Sequence, residues 1–349
     1  MNTLKLYFYL KNIPQMNHDH DLARRFTLFP ILDNQMYRQM KSQEAVLWTS
    51  NELDFSADKH QYDKLSPPLK RLIDYVNCFF SATDGLIVNN IAHRFIVEAK
   101  TLEEQAFFIT QMYIELVHSE TYSLIINTLV TDPDKRTMLF DAANNLLCVR
   151  NKNLWMEQHM ESAKSKAERL LGFCCAEGIF FISSFLFIFY FRSKGILPNI
   201  IFANEIISRD ESIHRDTGIM LYLRERRLSD AEAHQIVKEA VDLECQFVEE
   251  VLPEDIEDLN KEDVKKYVRY LGDHLLTACQ HPKLWDIPVG NLPTWIRDIS
   301  LQQKGNFYEV RTGNYIKGNL EQAIDWQNRI RGRKEEINLA CSDPSEINF

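Results

Sequence analysis

The amino-acid sequence predicts an all-α fold in which long helices pack as a bundle, and three observations carry that expectation. No stretch sustains the apolar–polar alternation of a half-buried strand, and no repeat of solenoid length recurs. Helix start and stop signals frame most of the chain. The spacing Glu-x-x-His also occurs twice within strongly apolar helical sequence, at Glu115–His118 and at Glu211–His214.

Residues 1–24 show no clear period and are expected to form a loose arm. Asn34 to Trp48 reads as a helix, followed by polar residues as far as Leu65. Ser66-Pro67-Pro68 opens the next, with Ser as N-cap and proline in the first turn, where a missing N–H costs nothing. That helix carries Asp84 and continues to Ala99. Thr101 and Glu104 have capping-box spacing and start the helix of Glu115, His118 and Tyr122, which reaches Val130. Asp132-Pro133 begins a shorter one.

Ser165 and Glu168 form a second capping box for the helix of Glu177, which stops at Gly195 with Pro198 beyond. The helix of Glu211 and His214 follows and ends in Arg224, Arg226 and Arg227, cations suited to the negative end of a helix dipole. Ser229 and Glu232 cap a further helix, and another covers Lys261 to Cys279. From Lys304 a polar tail runs to Phe349; such a segment buries too little to order itself, but its apolar end can dock on a partner. The expected organisation is an arm over 1–24, one helical domain over 25–303 and a tail over 304–349.

With 349 residues, 45% of them hydrophobic, the chain can bury a large core in one domain. A formal charge of −10 without a long basic run excludes a nucleic-acid surface. Seven cysteines with no C-x-x-C match neither a disulfide framework nor a zinc site, which points to a reducing, cytoplasmic setting. The apolar run between Glu177 and Arg192 falls short of the roughly twenty residues of a membrane span, so a buried central helix is expected and no membrane.

On a helix, residues three apart share a face, so each Glu-x-x-His aims a carboxylate and an imidazole at one point. Ten histidines give about one such pair by chance, so spacing alone is weak. The setting strengthens it, because an unpaired acid in apolar helical sequence is costly. A bundle that holds two metal ions takes one Glu-x-x-His from each of two helices and a lone carboxylate from each of two others. Asp84 and Glu177 stand where those are wanted. Four carboxylates balance two divalent ions, and oxygen and nitrogen ligands without thiolate suit iron or manganese.

Tyr122 lies within about 60° of Glu115 and His118 around its helix and should sit beside the metals. A core tyrosine with a satisfied hydroxyl and a phenol oxidised to a shielded radical both fit that position. Phe181 and Phe185 would wall either one.

The segments RFTLFPI (25–31), LWT (47–49), ATDG (82–85), ELVHSETY (115–122), AEGIFF (176–181) and NEIISRDESIH (204–214) together resemble the small, radical-generating subunit of class I ribonucleotide reductase, in order, over residues 25–315. The resemblance implies a ferritin-like bundle and a homodimer. It implies two iron ions, with manganese an alternative, held by Asp84, Glu115, His118, Glu177, Glu211 and His214, and a stable radical on Tyr122. It further implies that Trp48, Asp210 and the tail residue Tyr315 relay the radical to a separate large subunit, on which the tail ending at Phe349 docks. The stretch beyond Tyr315 is longer than in most relatives, which leaves the docking and the choice between Tyr315 and Tyr308 open. A ligand-binding di-metal oxidase of the same superfamily would use the same six ligands, without need of Trp48, Asp210 or the tail. From position alone Trp48 reads as a core indole and Asp210 as a surface acid.

Overall fold

The computed structural model describes residues 25–160, 164–252, 256, 258–294 and 296–297. The arm over 1–24 and the tail, with Tyr308, Tyr315 and Phe349, lie outside the described residues. The described elements are helical and include no strand. The principal ones are α1 Asn34–Glu44, α2 Pro67–Asn90, α3 Leu102–Leu129, α4 Leu147–Met160, α5 Lys166–Cys175, α6 Ile182–Ser193, α7 Pro198–Tyr222, α8 Asp230–Val251 and α9 Lys261–Ala278.

Several termini follow from local chemistry. Ser165 and Ser229 both make complete capping boxes, with Glu168 and Glu232. Thr101 accepts from the Glu104 N–H, but the Glu104 carboxylate turns instead to the Lys100 N–H and to Lys166 Nζ, so only half of that box forms. Ser66 caps α2 without a side-chain hydrogen bond. The chain leaves α6 through Gly195 at φ +69°, a left-handed conformation that glycine adopts without steric cost.

Two differences from the sequence expectation bear on the site. Helix α1 ends at Glu44, short of Trp48, and the Val46 carbonyl just beyond it accepts from Arg209 on α7. Trp48 is thereby set in a connection. Two π-helical turns, Ile91–Phe95 and Ala176–Phe181, interrupt long helices, and the second carries Glu177. Such turns insert one residue into the helical register and re-aim the side chains that follow.

Helices α2 and α3 pack along their length, and α7 packs on α3, α5 and α6. The rod formed by α5, the second π-turn and α6 is apolar all round, as a helix enclosed on every side must be. By length and composition it would pass for a membrane span, but 94% of its most apolar window is buried within the fold. Gly218 lets α7 approach α5 closely, since a Cβ there would meet Phe173 and Cys174 at 2.9 Å. The fully buried Lys152 of α4 pairs with Glu244 of α8 at 2.7 Å, its Nζ 3.3 Å from the Phe79 ring centroid. Burial alone would neutralise either partner; the pair and the aromatic faces offset that penalty.

Candidate metal centre

The two Glu-x-x-His helices meet with their acidic faces inward. Glu115, Glu177, Glu211 and His214 each bring a ligand atom within 4.8 Å of the others, and all are buried. His118 Nδ1 lies 2.9 Å from Glu211 Oε1 and 3.5 Å from Glu115 Oε2, while His214 Nδ1 lies 2.9 Å from Glu115 Oε1 and 3.0 Å from Glu211 Oε2. Asp84, on α2, is buried, and the charges of Glu115, His118 and Glu211 act on its carboxylate. Gln111, one turn before Glu115, donates to Glu115 Oε1 at 3.0 Å.

The donor set fits a metal pair. Both Asp84 oxygens, one oxygen each of Glu115 and Glu177, and His118 Nδ1 are buried without a hydrogen-bond partner among the described residues. The 2.9 Å approach of His118 Nδ1 to Glu211 lacks hydrogen-bond alignment, as expected of two groups aimed at a common third atom.

Without cations this cluster cannot ionise freely. Burial, reinforced by Glu115, pushes the Asp84 carboxyl well above its usual range, and burial with Glu211 does the same to Glu177. Burial also works against charge on Glu115, but His214 and His118 outweigh it and hold that carboxyl low. For His118 and His214 burial favours the neutral ring. The carboxylates around them prevail and raise both, His214 to about 9. The metal-free centre is therefore protonated at neutral pH, and its ligands must shed protons to bind. Anaerobic addition of ferrous or manganous ion at pH 7 in weak buffer should release about two to four protons per chain, with affinity rising as pH rises. Binding without proton release would mean that the ions sit elsewhere.

Tyr122 is fully buried. Its hydroxyl donates to Asn204 Oδ1 at 3.0 Å, and its ring stacks on Phe80 at 4.6 Å and 8°. Phe181 and Phe185 contact Phe80 and close the pocket. Burial and the charges of Asp84, Glu211 and Glu115 push the phenol's pKa well up, so it keeps its proton.

Asp210 is buried, not a surface acid. Its Oδ2 accepts from Trp48 Nε1 at 2.8 Å and lies 3.3 Å from His118 Nε2; its Oδ1 accepts from Arg209 Nε at 2.9 Å. The Trp48 and His118 rings stack with centroids 5.9 Å apart. Burial opposes the Asp210 charge, but His118 and Arg209 hold its carboxyl below the usual range. This carboxylate fixes the His118 ring with Nε2 outward and Nδ1 toward the cluster, the outer support expected of a metal-binding imidazole. Gln111, Asn204 and Arg209 were not singled out in the sequence. Gln111 and Asn204 stand four and seven residues before a cluster glutamate, a spacing that would have indicated a shared face.

Long helices that bring two Glu-x-x-His pairs and two further carboxylates to one buried point define the class of bundle proteins built around a dinuclear carboxylate centre. A family model described as the ribonucleotide reductase small chain matches residues 25–291. The ribonucleoside-diphosphate reductase small chain of Nicotiana tabacum is 37% identical over 302 residues, covering 86% of this chain and 91% of that one. The structure of the ribonucleotide reductase Rnr4 homodimer of Saccharomyces cerevisiae superposes with a TM-score of 0.70 at 25% identity, over 85% of this chain and 99% of that one. The dimanganese(II)-NrdF of Streptococcus sanguinis shares the fold, with a TM-score of 0.68 at 18% identity over 78% and 98%. The chain belongs to the small-chain family of ribonucleotide reductase. Its function is that of the family, a ferritin-like oxidoreductase subunit that generates the radical used by a large subunit to reduce ribonucleotides.

Proposed function

We propose that Asp84, Glu115, His118, Glu177, Glu211 and His214 hold two iron ions, that Tyr122 stores the radical, and that Trp48 and Asp210 begin the path by which it reaches the large subunit. The observation that carries this reading is the continuous contact Trp48–Asp210–His118, which joins the cluster to an indole only partly buried. Two iron ions oxidised by dioxygen supply, when bound, a one-electron oxidant for a phenol; manganese accepts the same ligands.

The chain's own residues do the rest. Four carboxylates neutralise the ions, and Gln111 orients Glu115. Phe80, Phe181 and Phe185 keep water from Tyr122, so that a phenoxyl radical is not quenched. Asp210 accepts the indole N–H and holds His118 in place. Loading the purified chain with ferrous iron anaerobically and then admitting air should give a tyrosyl signal in the electron paramagnetic resonance spectrum. Metal oxidation with no radical would defeat the iron reading, and repeating the loading with manganese would test the other metal.

The tail over 304–349 is the docking segment in this reading, with Tyr315 as its relay residue. Deleting residues 316–349 should spare the radical and remove activity with the large subunit; full activity after deletion would refute the docking role. The working form is a homodimer, supported by the exposed apolar stripe Ile109, Tyr113 and Leu116 on α3. Sedimentation should show a dimer that Leu116→Glu dissociates, and a monomeric wild type would contradict it. A reducing, cytoplasmic setting agrees with the free, buried Cys78, Cys148, Cys174, Cys175 and Cys279.

A further inference from the structure

Asn204 has no part in the ligand set, yet it is fully buried on α7, seven residues before Glu211 and within about 20° of the same helix face. Tyr122 holds the matching position on α3, seven residues after Glu115. The two helices run antiparallel, so these extensions meet at one end of the cluster, where the Tyr122 hydroxyl donates to Asn204 Oδ1 at 3.0 Å. The other end of the amide is committed as well, since Nδ2 donates to the Ile200 carbonyl at 2.8 Å. That second bond decides which way round the amide lies. Reversing it would set Oδ1 against a carbonyl oxygen.

We propose that Asn204 is a positioning residue for Tyr122, a neutral and pre-oriented acceptor that fixes where the phenolic O–H points and stabilises the protonated phenol. The contact stands by itself; its consequence for the radical rests on the reading of Tyr122 given above. An amide oxygen is not a base at neutral pH, so Asn204 holds the hydrogen bond without taking the proton. Its removal would leave a buried hydroxyl facing the phenylalanine wall. That loss falls on the reduced phenol alone, because a phenoxyl oxygen has no hydrogen to donate.

Infrared difference spectroscopy on the metal-free chain with ring-labelled tyrosine, using Tyr122→Phe to isolate the band of Tyr122, reads the contact directly. Wild type should show the C–O band of a hydrogen-bond donor, Asn204→Leu that of a free hydroxyl, and Asn204→Asp a bonded one again. After metal loading and air, Asn204→Leu should form the radical and lose it to a one-electron reductant about two- to tenfold more slowly, the factor that one net hydrogen bond represents. A free-hydroxyl band in wild type, a band unmoved in Asn204→Leu, or unchanged radical decay overturns the proposal. Should leucine at 204 prevent folding, the wild-type band decides alone. A bonded band in a wild type that forms no radical would overturn the role of Tyr122 and leave the contact standing.

Discussion

The Tyr122→Phe chain should bind as much metal as wild type, oxidise it in air and show no tyrosyl signal, with reductase activity lost to background. The substitution removes one oxygen and keeps the ring that stacks on Phe80, so packing is nearly unchanged. Its structural cost is the Asn204 oxygen left without its donor, about 1–2 kcal/mol. No cluster carboxylate or imidazole is touched, and metal content by elemental analysis should stay at the wild-type level. Metal loss in this variant would mean that Tyr122 supports the cluster mechanically, and a persistent tyrosyl signal would move the radical to another residue.

Asp210→Asn should retain metal and radical but lower activity with the large subunit by on the order of a hundredfold or more, the scale of loss when a relay geometry is disturbed. The reason lies in the donor count. Asp210 accepts from Trp48 and Arg209 and faces His118 Nε2, so all of its partners are donors. An amide must turn its NH2 toward one of them, which breaks a contact and sets two donors against each other. Trp48→Phe, which keeps an aromatic ring but removes the pyrrole and its N–H, should share the phenotype. Activity assays beside radical quantification separate the cases, and loss of the radical together with activity would make Asp210 a support of the cluster instead of a relay residue.

Much of the fold was legible because its signals are local. Capping boxes at Ser165 and Ser229 mark helix starts through contacts three residues apart, and proline after Ser66 and the Gly195 stop mark helix ends through their own backbone preferences. The two Glu-x-x-His pairs could be read from i,i+3 spacing in apolar sequence, and Glu115, Glu211 and His214 meet Glu177 at one buried cluster in the fold. Misreadings arose where a distant partner overrode local preference. Helix α1 stops before Trp48, where Arg209 holds the Val46 carbonyl just past the helix end, and half of the Thr101 box is lost because Glu104 turns to Lys166. Around Glu177 the sequence predicts an unbroken helix, and the structure sets a π-turn there.

By itself, then, the sequence determined where most of the long helices lie and which acids cannot be left unpaired, since both depend on neighbours along the chain. Tertiary structure alone decided that Asp210 is buried between an indole, an imidazole and a guanidinium, that Asn204 receives the Tyr122 hydroxyl, and that Lys152 lies against aromatic rings beside Glu244. Apart from the guanidinium of neighbouring Arg209, each of those contacts joins residues tens of positions apart. Whether a polar side chain is solvated or held depends on which helix packs over it, and that is a property of the assembled bundle.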